Sequence, residues 1–179
     1  YDCIQDMQKA VPMNRLVQGD VGSGKTMVAA ALCYLCKENG LQAAVMAPTQ
    51  ILAEQHYETF SRQLSPFDIQ CCLLNGAKNA KQRAAAAASI QSGECTVVIG
   101  THALLQEDIR FKKLGLVVTD EQHRFGVGQR AALAAKGDHP HILVMSATPI
   151  PRTLALLIYG DLDVSVIREL PAGRKPVRT

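Results

Sequence analysis

Leu116-Val117-Val118 and Ile142-Leu143-Val144-Met145 are apolar at every position. A strand reads this way when both of its faces are covered, as in a parallel sheet between helix layers. Short β-rich runs of this kind recur at 13–18, 42–46, 69–74, 96–99, 116–119 and 142–145. Between them the spacing predicts helices over 25–38, 50–61, 79–91, 127–135 and 151–159, and regular βα alternation predicts a three-layer α/β fold with a mostly parallel sheet. Gly40 after Lys37-Glu38-Asn39 is a helix stop. Ala84–Ala88 is low in complexity but rich in the best helix former, which predicts a surface helix and not a disordered linker.

The remaining composition bounds the partners. Hydrophobic residues make up 47% and charged residues 20% of 179 residues, so the chain can bury a core of one-domain size. A net charge of +3 excludes charge-driven disorder and permits a nucleic-acid partner without arguing for one. Four Tyr, four Phe and no Trp speak against recognition by stacking platforms. The longest apolar run, 27–36, is about half of a bilayer span, which predicts no membrane partner. The start shows neither an initiator Met nor a basic and apolar leader, so a piece of a longer cytosolic chain is expected. Six cysteines are sparse for a disulfide scaffold. Cys33 and Cys36 have CxxC spacing inside a helical pattern without a second ligand pair, and Cys71 and Cys72 would face opposite sides of a strand. Reduced core thiols and no disulfides are therefore expected. The tail 171–179, with Pro171, Gly173, Pro176 and basic residues, reads as a linker leaving a domain of 1–170.

Two segments carry chemistry. Gly19-Asp20-Val21-Gly22-Ser23-Gly24-Lys25-Thr26 matches GxxxxGK[ST], follows a strand candidate and opens a helix. Its glycines allow the backbone to turn N–H groups inward as an anion nest, and the helix N-terminus adds its dipole. Lys25 would reach the β- and γ-phosphates of ATP, and the Thr26 hydroxyl would hold Mg²⁺. A second carboxylate is then needed at a strand end, and 116–119 runs straight into Asp120-Glu121-Gln122-His123. Asp120 would hold Mg²⁺, usually through water, Glu121 would orient and deprotonate the attacking water, and His123 could hydrogen-bond to a neighbouring strand end. Ser146-Ala147-Thr148 at the next strand end could receive that bond and relay nucleotide state, or Thr148 could simply cap a helix.

Together GDVGSGKT, APTQILAEQH, GTHALLQED, DEQHRFGVGQR and MSATPIPRTL resemble the first motor lobe of the superfamily 2 DNA translocases. DEQHRFGV, SATPIPRTLA and the run to ELPAGRKPVRT are similar to the RecG family of bacterial helicases, from about residue 12 to the end. The transcription-repair coupling factors are the alternative, although they usually carry Glu where Gln122 stands.

The resemblance implies a RecA-like P-loop lobe of a helicase that remodels branched or forked duplex DNA in recombination and repair, using ATP and Mg²⁺. It implies DNA contacts at Pro48, Thr49, Gln50, Gly100, Thr101, His102 and Arg152. Arg124 and Arg130 could serve DNA or an interlobe contact, or be plain surface charges. Ser146 stands where relatives usually have Thr, and Gln5 is not assigned the family's adenine-recognising role. The family's arginine finger, second motor lobe and wedge domain have no counterpart in this sequence. An isolated lobe is therefore expected to bind nucleotide and DNA with little turnover. A non-motor P-loop kinase is disfavoured because no substrate lid is recognisable.

Overall fold

β-branched and Ala-rich runs pair side by side in one sheet. A computed structural model describes residues 1–74, 80–120, 127–148 and 162–167. The helix expected at 151–159, the tail 171–179, and the site candidates Glu121, His123, Arg124 and Arg152 lie outside the described residues. The strands are β1 (Asn14–Gln18), β2 (Gln42–Met46), β3 (Cys71–Leu74), β4 (Val97–Gly100), β5 (Leu114–Asp120), β6 (His141–Ser146) and β7 (Asp163–Val166). They form a seven-stranded sheet in the order β3-β4-β2-β5-β6-β1-β7. Every described pairing is parallel. The helices are α1 (Asp2–Met7), α2 (Lys25–Glu38), α3 (Gln50–Leu64), α4 (Ala80–Ser92) and α5 (Val127–Ala134), with short 3-10 turns at Ser65–Phe67 and His102–Leu105.

Alternation within each strand divides the core in two. Ala43, Val45, Val97, Ile99, Leu116 and Val118 face α2 and α3, packing on Leu32, Cys33, Cys36, Phe60 and Leu64. Ala44, Met46, Val98 and Val117 face the opposite layer with Ile90, Leu104 and Leu133. That arrangement is the expected three-layer fold, and β2 is buried at all five positions. Burial pushes the Cys33 thiol well up and that of Cys36 to about 12, so both behave as core hydrophobes.

Buried polar groups fix the edges of this sheet. Gln42, at the start of β2, donates from Nε2 to the carbonyls of Ile90 (2.9 Å) and Cys95 (2.8 Å). Its Oε1 accepts from the backbone N–H of Lys112 (2.8 Å) and Lys113 (3.1 Å), so its capacity is fully used. On the other side of the sheet Arg15 of β1 binds Asp6 of α1 through Nε at 2.6 Å and Ser165 of β7 through a terminal nitrogen at 2.7 Å.

One expectation is corrected. Cys72 and Cys95 form a disulfide, with Cα atoms 6.0 Å apart, so the reading of no disulfides does not hold. Cys71 and Cys72 do face opposite layers, packing against different clusters. Cys72 points towards the α4 layer, and the crossover through α4 brings the chain back beside β3, on the same side, at Cys95. Neither step can be read from a separation of 23 residues.

Candidate nucleotide-binding site

Parallel pairing puts the C-terminal ends of all the strands on one edge, so sequence segments far apart converge there. The loop 19–26 leaves β1, Pro48-Thr49-Gln50 leaves β2, Gly100-Thr101-His102 leaves β4, Asp120 ends β5 and Ser146-Ala147-Thr148 leaves β6. The register sets Gln18 opposite Ser146, Met46 opposite Gly100 and Thr119, and Asp120 opposite Met145.

The phosphate loop is held by its own backbone and by β6. Gly19 N–H donates to the Ser146 carbonyl at 3.1 Å, and Ser23 N–H to the Asp20 carbonyl at 3.0 Å. Gly22 (φ 82°) and Gly24 (φ 94°) are left-handed, which a side chain would resist. Gly24 caps α2 without a side-chain hydrogen bond, so the first-turn N–H groups of the helix keep their affinity for an anion. Ser23 Oγ is buried with no hydrogen-bond partner. Lys25 folds back, Nζ donating to the carbonyls of Gly19 (2.6 Å) and Asp20 (2.8 Å). A left-handed glycine cradle, an uncapped helix start, an unused hydroxyl and a lysine at its rim are the donor set that a polyphosphate needs.

Asp120 is only partly exposed, and its Oδ2 accepts a hydrogen bond from His56 Nε2 at 2.6 Å. Sequence reasoning missed His56. The signal was there: α3 buries Ala53, His56, Phe60 and Leu64 as one stripe, and His56 is the one polar member. Thr49 caps the same helix, its Oγ1 accepting from Leu52 N–H at 3.3 Å. Helix α3 thus begins at one expected site segment and touches another.

The remaining candidates separate. Ser146 Oγ lies 3.0 Å from Thr148 Oγ1 and accepts from Thr148 N–H at 3.2 Å, a local turn. The Ser146 carbonyl also ties β6 to the nucleotide loop by accepting from Gly19 N–H, while the expected partner His123 lies outside the described residues. His102 is exposed and its Nε2 meets Gln129 Nε2 of α5 at 2.9 Å. Arg130, weighed as a plain surface charge, is buried.

Gly100 has a packing reason as well as an expected contact. A Cβ there would lie 2.5 Å from the Leu74 carbonyl oxygen and 3.1 Å from Leu104 Cγ. Gly100→Ala is expected to destabilise the fold by about 1–3 kcal/mol, from overpacking against backbone. A shift of the urea midpoint at unchanged slope checks this.

Relatives identify the lineage. A family model for DEAD/DEAH box helicases matches residues 2–157. The chain belongs to the DEAD/DEAH box helicase family. Within that family it is 53% identical over 99% of its length to the ATP-dependent DNA helicase RecG of Aquifex aeolicus, covering 23% of that protein. It is 56% identical over 97% of its length to RecG of Thermotoga maritima, covering 22%. A solved structure of RecG bound to a three-way DNA junction superposes with a TM-score of 0.82 at 51% identity, over 97% of this chain and 23% of that one. This helicase lobe therefore spans about a quarter of the curated relatives it matches, and its three-layer sheet is the RecA-like lobe expected. No helix among the described residues is long and apolar enough to cross a membrane.

Proposed function

We propose that the chain is the nucleotide-binding first motor lobe, residues 1–170, of a RecG-like ATP-dependent DNA helicase that remodels branched or forked DNA in recombination and repair. The segment 171–179 leads on to a second motor lobe. The observation that carries this reading is the convergence of the phosphate loop and Asp120 on one sheet edge, in a chain so similar to RecG. The RecG likeness over nearly the whole chain favours this family over the coupling factors.

In this reading bound ATP with Mg²⁺ supplies the free energy and the electrophile. Residues 19–24 cradle the phosphates, Lys25 gives up the Gly19 and Asp20 carbonyls for the β- and γ-phosphates, and Thr26 and Asp120 hold the metal. Glu121 activates water. Thr49, Gln50, Thr101 and His102 meet DNA phosphates from the same edge, with Pro48 and Gly100 beside them, and Arg152 is a further DNA contact in this reading; such contacts carry no sequence information. Lobe closure is sensed at β6, where the Ser146 carbonyl already holds Gly19 N–H at 3.1 Å. The protein works in the cytoplasm, where its DNA is.

The half of the site that closes over ATP lies outside these elements, so the isolated chain should bind ATP and hydrolyse almost none. Phosphate release by the chain with ATP, Mg²⁺ and forked DNA is expected to match that of its Glu121→Gln variant, while a fluorescent ATP analogue still binds. Robust turnover would show that a second lobe is dispensable and would defeat the proposal.

A further inference from the structure

His56 is a buried group in direct contact with the proposed metal carboxylate, and nothing in the nucleotide chemistry above uses it. It is 9% exposed, and Asp120 is its hydrogen-bond partner at 2.6 Å. A carboxylate only accepts, so the imidazole donates from Nε2 to Oδ2. Its ring stands edge-on to Phe60, centroids 6.1 Å apart at 75°, and Phe60 is fully buried. The donor is thus fixed by α3 packing, in the layer shared with α2, the phosphate loop's own helix. Asp120 itself stands at the last position of β5, where strand pairing ends. A terminal carboxylate with one oxygen pinned has a defined plane, and the other oxygen is then directed as well.

We infer that His56 is a positioning residue, which holds the Asp120 carboxylate in the orientation that receives Mg²⁺ on the opposite oxygen. The inference rests on the nucleotide-site reading above. The physical precedent is general: partners that orient a ligating side chain commonly govern metal affinity about 10- to 100-fold.

The test is a Mg²⁺ titration of the chain with a fluorescent ATP analogue, reading the Mg²⁺ concentration at half-saturation and, separately, analogue binding without Mg²⁺. His56→Leu is expected to raise the half-saturating Mg²⁺ about 10- to 100-fold and to leave Mg²⁺-free binding unchanged. His56→Gln, which keeps an N–H donor, is expected to recover most of the loss. Should His56→Leu fail to fold, His56→Phe keeps a ring on Phe60 and takes its place. Asp120→Asn separates the two ideas. If it leaves the Mg²⁺ response unchanged, the nucleotide-site reading fails and the inference with it. If it shifts the response while His56→Leu leaves it unchanged or tightens it, the positioning role alone is overturned. Equal losses in His56→Leu and His56→Gln would trace the effect to α3 packing and also overturn it.

Discussion

Lys25→Ala in the full-length helicase proposed above is expected to lower DNA-stimulated phosphate release by at least about 10²–10³-fold, the usual effect of removing one donor from a developing phosphate charge. Its fold should survive. Both hydrogen bonds of the Lys25 ammonium go to carbonyls of its own loop, Gly19 and Asp20, and one of them is exposed. Helix α2 is anchored by Ala29, Leu32, Cys33 and Cys36 instead. The lysine therefore rests on neutral carbonyls of its own loop, whereas the polyphosphate would offer it charged oxygens. Phosphate release with forked DNA, paired with a urea midpoint, separates a dead site from a lost fold. Hydrolysis retained within a few-fold of wild type would remove the loop from the chemistry and take the functional reading with it.

The same contrast between local and tertiary demands decides what is legible in the sequence. β2, buried at every position, and β4 with its Val97-Val98-Ile99 run announce a sheet covered on both faces, because burial on two sides leaves an unbroken apolar run. The phosphate loop is legible because the demand on it is local: left-handed backbone at Gly22 and Gly24, then a helix start. Residues whose roles are set by tertiary partners leave a fainter trace or none. Strand β7, Asp-Val-Ser-Val, is half polar because it is an edge strand, and it pairs only with β1 among the described strands. Helix α1 is six residues long with Asp2 and Asp6 in it, too short and too polar to stand alone. It is held in place by the buried Arg15–Asp6 pair and by Cys3 in the core. The Cys72–Cys95 bond needs the crossover that returns the chain beside β3, and His56 needs β5 to bring Asp120 to α3.

Arg15→Met should cost about 3 kcal/mol of folding stability, the lower end of the range for breaking a buried pair by removing one partner. Asp6, only 4% exposed, gives the reason. Burial pushes its carboxyl up, yet the hydrogen bonds from Arg15 (2.6 Å) and Lys9 (2.7 Å) outweigh this and hold it below the usual carboxylate range. Without Arg15 the ion-pair partner left to the buried charge among the described residues is Lys9, whose side chain is 61% exposed. Asp2 and Asp163 are the exposed outer partners of Arg15, at 3.7 and 3.5 Å, and contribute little in water. A depressed native carboxyl contributes its full stability above the unfolded value of about 4, and that contribution is lost as pH falls from there through the lower native value. The stability gap between wild type and Arg15→Met should therefore be full at neutral pH, shrink as the pH falls below about 4, and close only below the lowered native value, where Asp6 is neutral in both. Urea unfolding at the two pH values measures it; a gap that persists in acid would assign the loss to the packing of the Arg15 stem instead. The nucleotide site should feel the same variant. Arg15 ties α1 and β7 to β1, the strand that ends at Gln18 just before the phosphate loop, so weaker ATP binding is expected to accompany the loss of stability although Arg15 lies at the other end of that strand.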